Sequence, residues 1–166
     1  MIFTLVLPLI IASGSALAQQ SPNAGPQKEL PVNELLRLQG KVIAEGSNAR
    51  TTGNVRISGY RVEELQLPRS ENVELHGQQV SVDRAWRITV TGGPFPVRAL
   101  PAVIWLDDQI AGTGIENTTL SQITAITFDS SLIREGAVVS LSYGEDKDAR
   151  ERLSQRLHLK REGGNQ

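Results

Sequence analysis

The chain has 166 residues, with 17 Lys and Arg against 18 Asp and Glu, so its formal net charge at pH 7 is −1. This balance argues against non-specific binding to nucleic acid or to an anionic membrane. The chain contains no cysteine, which excludes disulfides and a lipid-anchored lipoprotein, so a hydrophobic core must hold the fold together.

The first eighteen residues are uncharged and contain an apolar run from Ile2 to Ala12, which is followed by small residues and then by Ala16-Leu17-Ala18. This pattern is typical of a secretory signal peptide, so we expect cleavage after Ala18 and export to the periplasm or the medium. A run of about eleven residues is too short to cross a membrane, which needs roughly twenty, and we expect no membrane span in the mature chain. Because Lys and Arg are missing before the apolar run, a true start further upstream stays open.

Residues 19–34 are rich in proline and polar side chains and predict a flexible leader. The apolar residues that follow fit period two and predict a strand from Leu36 to Ala44, in preference to a helix that starts at Asn33. We expect a single β-sandwich domain over residues 35–161, in which 35–67 either join the same sandwich or form a small β unit of their own. Residues 162–166 are expected to be a disordered tail.

Short strands are predicted next along the chain. Residues 54–60 and 61–67 alternate in polarity, with a break near Gly59, and residues 68–72 predict a turn. Residues 73–75 predict a short strand that ends at a His76-Gly77 turn.

The densest pattern lies in residues 82–143. Its first strand places apolar side chains on one face of an extended chain, namely Val82, Trp86, Ile88 and Val90. The other face carries Arg87, Thr89 and Thr91. Prolines within 94–101 predict a sheet edge or a crossover between sheets. Residues 102–106 are apolar throughout and predict a strand buried on both faces, followed by a long connection over 108–119.

The carboxyl-terminal third predicts three further strands. Residues 122–128 form the first, with Ile126 and Phe128 inward, and a single helical turn over 129–136 leads into a strand over 138–143. A closing strand is predicted from about Ser154 to Lys160, in preference to a helix. The expected core residues are Trp86, Ile88, Val90, Val103, Trp105, Phe128, Val139 and Leu141.

Turns at short intervals between short strands are typical of an antiparallel β-sandwich. The block from Trp86 to Tyr143 resembles immunoglobulin-like modules of the IPT/TIG kind, through residues 91–95, the strand 103–106 and the corner that contains Gly136. The resemblance covers roughly 60 residues and implies an all-β, immunoglobulin-like fold in a module that binds or connects rather than catalyses.

The side chains that could carry chemistry are few. His76 and His158 have no carboxylate or nucleophile beside them in the sequence, so we expect both to be exposed and structural. Asp107, Asp108 and Glu116 could offer oxygen ligands to calcium, but a solvated acidic turn is favoured because no spaced Asp or Asn repeat completes a loop. We expect no metal and no cofactor.

The aromatic residues are expected to pack in the core rather than stack on sugar rings. Trp86 and Tyr143 lie on the apolar phases of their strands, and Trp105 lies within an apolar run. Tyr60 is the exception, because its neighbours are polar.

These patterns favour an exported, non-catalytic module that binds or spaces a protein or glycan partner at the cell envelope. Its contact surface is expected around residues 94–98 and 107–116, since prolines and glycines make these segments irregular. The expected binding residues are Phe95, Arg98, Asp107, Asp108 and Glu116. The alternative is a small envelope glycan hydrolase that uses Asp107, Asp108 and Glu116 as its carboxylates.

Overall fold

The structure is a computed structural model that describes residues 31–47, 51–52, 56–95, 100–114, 116–119, 121–145, 148 and 150–160. Within these ranges the chain forms ten strands, one short α-helix and one 3-10 turn. The elements in chain order are α1 (Val32–Arg37), β1 (Gly40–Ser47), β2 (Thr51–Thr52), β3 (Ile57–Leu75), β4 (Gln78–Gly92), β5 (Ala102–Leu106), β6 (Gln109–Thr113), β7 (Glu116–Thr119), β8 (Gln122–Thr127), the 3-10 turn (Ser130–Leu132), β9 (Val138–Tyr143) and β10 (Glu151–Arg156).

The described strands pair into two antiparallel sheets, which confirms the all-β sandwich expected from the sequence. Sheet A has the order β1-β3-β4-β8-β7, and sheet B has the order β2-β10-β9-β5-β6. One hydrophobic cluster contains buried side chains from both sheets, among them Val62 and Ile88 of sheet A and Ile104 and Leu141 of sheet B. The main core therefore lies between the sheets.

Most of the expected core residues are buried, but they do not all face the same way. Ile88, Val90, Val139 and Leu141 belong to the central cluster, and Trp86 packs against it while partly exposed. Val103 and Trp105 are each 2% exposed, but they alternate with the core-facing Ile104 and so lie on the outer side of sheet B. Ile126 and Phe128 were expected to point inward but pack on the outer side of sheet A. Val82, expected on the same face as Ile88, packs there with them.

A second hydrophobic cluster covers that outer side of sheet A and explains the helix. Leu35 of α1 is 4% exposed and packs with Leu65, Leu67 and Ala85. The sequence predicted a strand from Leu36, which is wrong: residues 32–37 are helical and β1 begins at Gly40. The helical conformation is favoured over a strand here because it lets Leu35 cover an apolar stripe on sheet A that would otherwise face water.

The long hairpin β3–β4 replaces several predicted short pieces. Residues 57–75 form one strand, with register shifts at Ile57/Gly59 and at Gln66/Glu71. The first shift is the break expected near Gly59, whereas the predicted turn at 68–72 is wrong. The strand continues through residues 68–72 because Pro68 lies in the register shift between Gln66 and Glu71. There it has no partner on β4, so its missing N–H costs no hydrogen bond between the strands. Residues 54–55 of the predicted segment lie outside the described residues.

The predicted connection over 108–119 is also wrong, because β6 and β7 occupy it. Asp107 has a φ of 54°, a left-handed conformation that Asp tolerates, and it turns the chain directly from β5 back into β6. Gly112 serves close packing, since a Cβ there would lie 3.0 Å from the Cβ of Ala125 on β8.

The closing segment fastens the two sheets together. The strand predicted over 154–160 exists but spans Glu151–Arg156, and Leu159 then bridges to Ala44 of sheet A. Tyr60, expected to face outward, is 3% exposed, because its hydroxyl donates to the Arg156 carbonyl at 2.8 Å and accepts the His158 N–H at 3.2 Å. These bonds satisfy the polar end of the ring inside the core.

Candidate binding site

Of the residues expected to bind a partner, the structure describes the side chains of Phe95, Asp107 and Asp108, and these do not form one surface. Phe95 is 1% exposed and packs in the core, so its side chain offers no area to a partner. Arg98 lies outside the described residues. Glu116 opens β7 with its Cα opposite that of Thr124 on β8. Of the three with described side chains, Asp107 and Asp108 lie together.

Asp107 holds the β5–β6 turn in place through both carboxylate oxygens. Oδ1 accepts the Val138 N–H at 2.9 Å, and Oδ2 accepts from the Arg134 guanidinium at 2.6 Å. The Asp107 N–H in turn donates to the Val138 carbonyl at 2.9 Å. An acid whose oxygens already hold the backbone and a guanidinium is a structural residue.

Asp108 is part of a stack on the outer side of sheet B. The Arg150 guanidinium lies 4.9 Å from the centre of the Trp105 ring and donates to the Asp108 carboxylate at 2.7 Å and to the Asp107 carbonyl at 2.6 Å. The Arg150 side chain is only 4% exposed. Trp105 donates its indole N–H to the Ser142 hydroxyl at 2.7 Å. Arg150 therefore covers Trp105 and keeps it from presenting a stacking face.

Each of the two histidines contacts an acid that does not lie beside it in the sequence. His76 Nε2 lies 2.8 Å from Asp129 Oδ2, and His158 Nδ1 lies 3.0 Å from Glu135 Oε1. Both histidine side chains are exposed, as expected, at 70% and 74%. The first pair ties the tip of the β3–β4 hairpin to the 3-10 turn, where the Asp129 carboxylate also caps Ser131.

A broad concave surface lies elsewhere, on the outer face of sheet A. Helix α1 covers the apolar half of that face and leaves the polar half open, and the resulting recess has a volume of about 760 Å³. Its lining residues come from α1, β3, β4 and β8 and are Asn33, Leu36, Arg37, Arg61, Glu63, Arg87, Thr89, Gln122 and Thr124. We call this depression the arginine recess.

At the floor of the arginine recess, the Glu63 carboxylate is shared by two guanidinium groups. Arg87 Nε donates to Glu63 Oε2 at 2.8 Å, and Arg61 lies 3.3 Å from Glu63 Oε1. Glu63 and Arg87 are mostly buried, at 11% and 15% exposure, whereas Arg61 is 50% exposed. Arg87 is therefore a structural cation, and Arg61 keeps half of its surface for other contacts.

Arg87 also connects the floor to the helix that forms one wall. One of its terminal nitrogens donates to the carbonyls of Leu36 and Leu38, at 2.9 and 3.2 Å. These carbonyls lie at the carboxyl end of α1, which leaves its last carbonyls unsatisfied and carries partial negative charge. The bond fixes α1 over the sheet and so fixes the shape of the recess.

A row of polar side chains also crosses the floor of the recess. Arg61, Thr89 and Thr124 occupy directly opposed positions on β3, β4 and β8, and the two threonine hydroxyls lie 3.2 Å apart. Glu45 extends the row on β1. The Glu45 carboxylate is already paired with Lys160. Its hydrogen bond and attraction to Lys160 lower the pKa of Glu45 below the usual value.

Positive charge exceeds negative charge in the recess. Its lining has three arginines, Arg37, Arg61 and Arg87, against the one acid Glu63, which leaves an excess of two positive charges. Within the described part of the chain, Arg37 makes no side-chain hydrogen bond or ion pair, and it is exposed. Sequence reasoning placed Arg87 and Thr89 on the polar face of their strand but missed the recess, because only strand register brings Arg61 beside them.

Comparison with protein-family models, curated proteins and solved structures finds no match. No helix within the described ranges has the length and apolarity needed to span a membrane. The same ranges hold no group of three or more metal-ligating side chains.

Proposed function

We propose that this protein is an exported, non-catalytic module with an immunoglobulin-like sandwich, which binds a protein or glycan partner at the cell envelope. The arginine recess carries this proposal. Sheet A and helix α1, which Arg87 holds in place, form the recess, so its polar groups are ordered before a partner arrives, which lowers the entropic cost of binding. Its volume of about 760 Å³ lies within the range typical of ligand pockets, about 300 to 1,000 Å³.

The proposed contact surface lies away from the segments favoured by the sequence. Asp107 and Asp108 each hold an arginine of the same domain, whereas Arg37 and Arg61 project into an open recess. Arg61 also pairs with Glu63, at 3.3 Å, but its guanidinium has more N–H donors than this contact uses, whereas both carboxylate oxygens of Asp107 are already bonded. The same reasoning supports a binding module over a hydrolase that uses Asp107 and Asp108.

Retention of envelope material on the immobilised mature protein tests the proposal. Arg84 is a matched control for Arg61: their side chains are 52% and 50% exposed, and each pairs with a glutamate, at 3.1 and 3.3 Å. Arg84 lies on β4 but does not line the recess. Wild type and Arg84→Gln should retain the same envelope component, and Arg61→Gln should retain at least about tenfold less.

Equal retention by Arg61→Gln, or no retention by wild type, would contradict the proposed surface. A screen for turnover of envelope polysaccharides tests the non-catalytic part. Turnover that Asp108→Asn abolishes without changing the fold would reject a binding module in favour of a hydrolase.

A further inference from the structure

We infer that the arginine recess binds an acidic saccharide, with a sugar carboxylate held by Arg61 and Arg37. This inference rests on the proposed function and adds the chemical class of the ligand. It follows from the charge of the lining, the side chains around that charge and the position of the recess on the face of a sheet.

Charge points to a carboxylate-bearing ligand. Glu63 is shared between Arg61 and Arg87 and neutralises one of them, and the recess keeps two positive charges in excess. Arg61 retains N–H donors on its exposed half, and a guanidinium matches a carboxylate with two parallel hydrogen bonds. Arg37, at the end of α1, faces the same space and supplies a second cation.

The uncharged lining points to a ligand with many hydroxyl groups. Asn33 and Gln122 line the recess and, among the described residues, make no side-chain hydrogen bond, so each amide offers both donors and an acceptor. Thr124 shares one hydroxyl contact with Thr89 and has further hydrogen-bonding capacity. Sugar hydroxyls both donate and accept, as these groups do.

The position of the recess favours a saccharide over an acidic peptide. One common way to bind an extended peptide is to pair its backbone with the free edge of a sheet. The floor of the recess consists of β3, β4 and β8, and each of these strands is paired on both sides. Their backbone groups are occupied within the sheet, so side chains face the ligand. Apart from Leu36 and the paired Glu63, these side chains are cationic, amide or hydroxyl groups.

Calorimetric titration with a trisaccharide of galacturonic acid tests the inference. The matched ligand is the same trisaccharide with its carboxylates methyl-esterified, and a peptide of three glutamates represents the competing class. Wild type should bind the acid form at least about tenfold more tightly than the ester or the peptide. Arg61→Gln and Arg37→Gln should each weaken binding of the acid form about tenfold, and Arg84→Gln should change it less than about twofold.

Equal binding of acid and ester, an equal loss in Arg84→Gln, or no binding of the trisaccharide rejects an acidic saccharide as the ligand. Tight binding of the glutamate peptide assigns the recess to acidic peptides instead. If retention of the envelope component depends on Arg61 but the trisaccharide does not bind, the proposed binding function is kept and the acidic saccharide is rejected as the ligand. If retention is also unchanged in Arg61→Gln, both proposals are rejected. Circular dichroism of each variant establishes that it is folded.

Discussion

Replacing Asp107 by alanine should destabilise the fold, because this acid holds the β5–β6 turn. Three losses add up. The Val138 N–H, bonded at 2.9 Å, loses its acceptor, which costs about 1 to 2 kcal/mol. Alanine at a φ of 54° costs about 1 kcal/mol, since non-glycine residues other than Asn and Asp rarely adopt this conformation. The ion pair to Arg134, which is 67% exposed, contributes about 0.5 kcal/mol.

The sum predicts that Asp107→Ala lowers the free energy of unfolding by about 3 kcal/mol. Asp107→Asn keeps an oxygen acceptor and tolerates the left-handed conformation, so it should cost only about 1 kcal/mol. Asp83→Ala, the same side-chain change at an exposed position on β4, should stay within about 0.5 kcal/mol.

Urea unfolding followed by tryptophan fluorescence and circular dichroism measures all three variants. Equal stabilities for Asp107→Ala and Asp83→Ala would refute the structural role of Asp107. That result would also return Asp107 to the candidates for ligand binding or catalysis.

Three further predictions concern the core, pH and export. Tyr60→Phe removes a buried hydroxyl that bonds two backbone groups of the closing segment and should cost about 1 to 3 kcal/mol in urea unfolding, whereas a cost below about 0.5 kcal/mol would contradict the role of that hydroxyl. Burial acts to raise the pKa of Asp129, but hydrogen bonds from Ser131 and His76 outweigh it and hold the pKa below the usual 3.8. The ionised carboxylate therefore stabilises the fold above pH 3.8, and the advantage of wild type over Asp129→Asn in urea unfolding should shrink as the pH falls from about 5 to about 3. An advantage that stays constant over this range would contradict the lowered pKa. Amino-terminal sequencing of the exported protein should begin at Gln19, and full-length protein in the cytoplasm would contradict cleavage after Ala18.

The sequence predicted the elements whose signal is local. Alternation around Ile88 and the apolar run 102–106 each specify a strand without reference to the rest of the chain. The helical turn before Gly136 was predicted for the same reason: the structure has a 3-10 turn with buried Leu132 and a φ of 80° at Gly136.

What the sequence missed depends on partners that lie far along the chain. Tyr60 has polar neighbours, and its burial follows from backbone groups of residues 156 and 158. Helix α1 forms because Leu35 covers a stripe on strands that follow it in sequence. Gly112 suggested a loop, but it allows β6 to pack close to β8. The arginine recess depends on the register of β3 against β4, which alternation alone does not specify.

The arginine recess as the contact surface can be tested most directly by NMR of the arginine side chains. The Nε–Hε signals of five arginines would be followed while the retained envelope component is added to labelled protein: Arg37, Arg61, Arg84, Arg134 and Arg150. We predict that the signals of Arg37 and Arg61 shift together in a saturable way and that the signal of Arg84 does not move. Saturable shifts of Arg134 and Arg150 with no change at Arg37 and Arg61 would place the contact at the Asp107–Asp108 turn and contradict the proposed site.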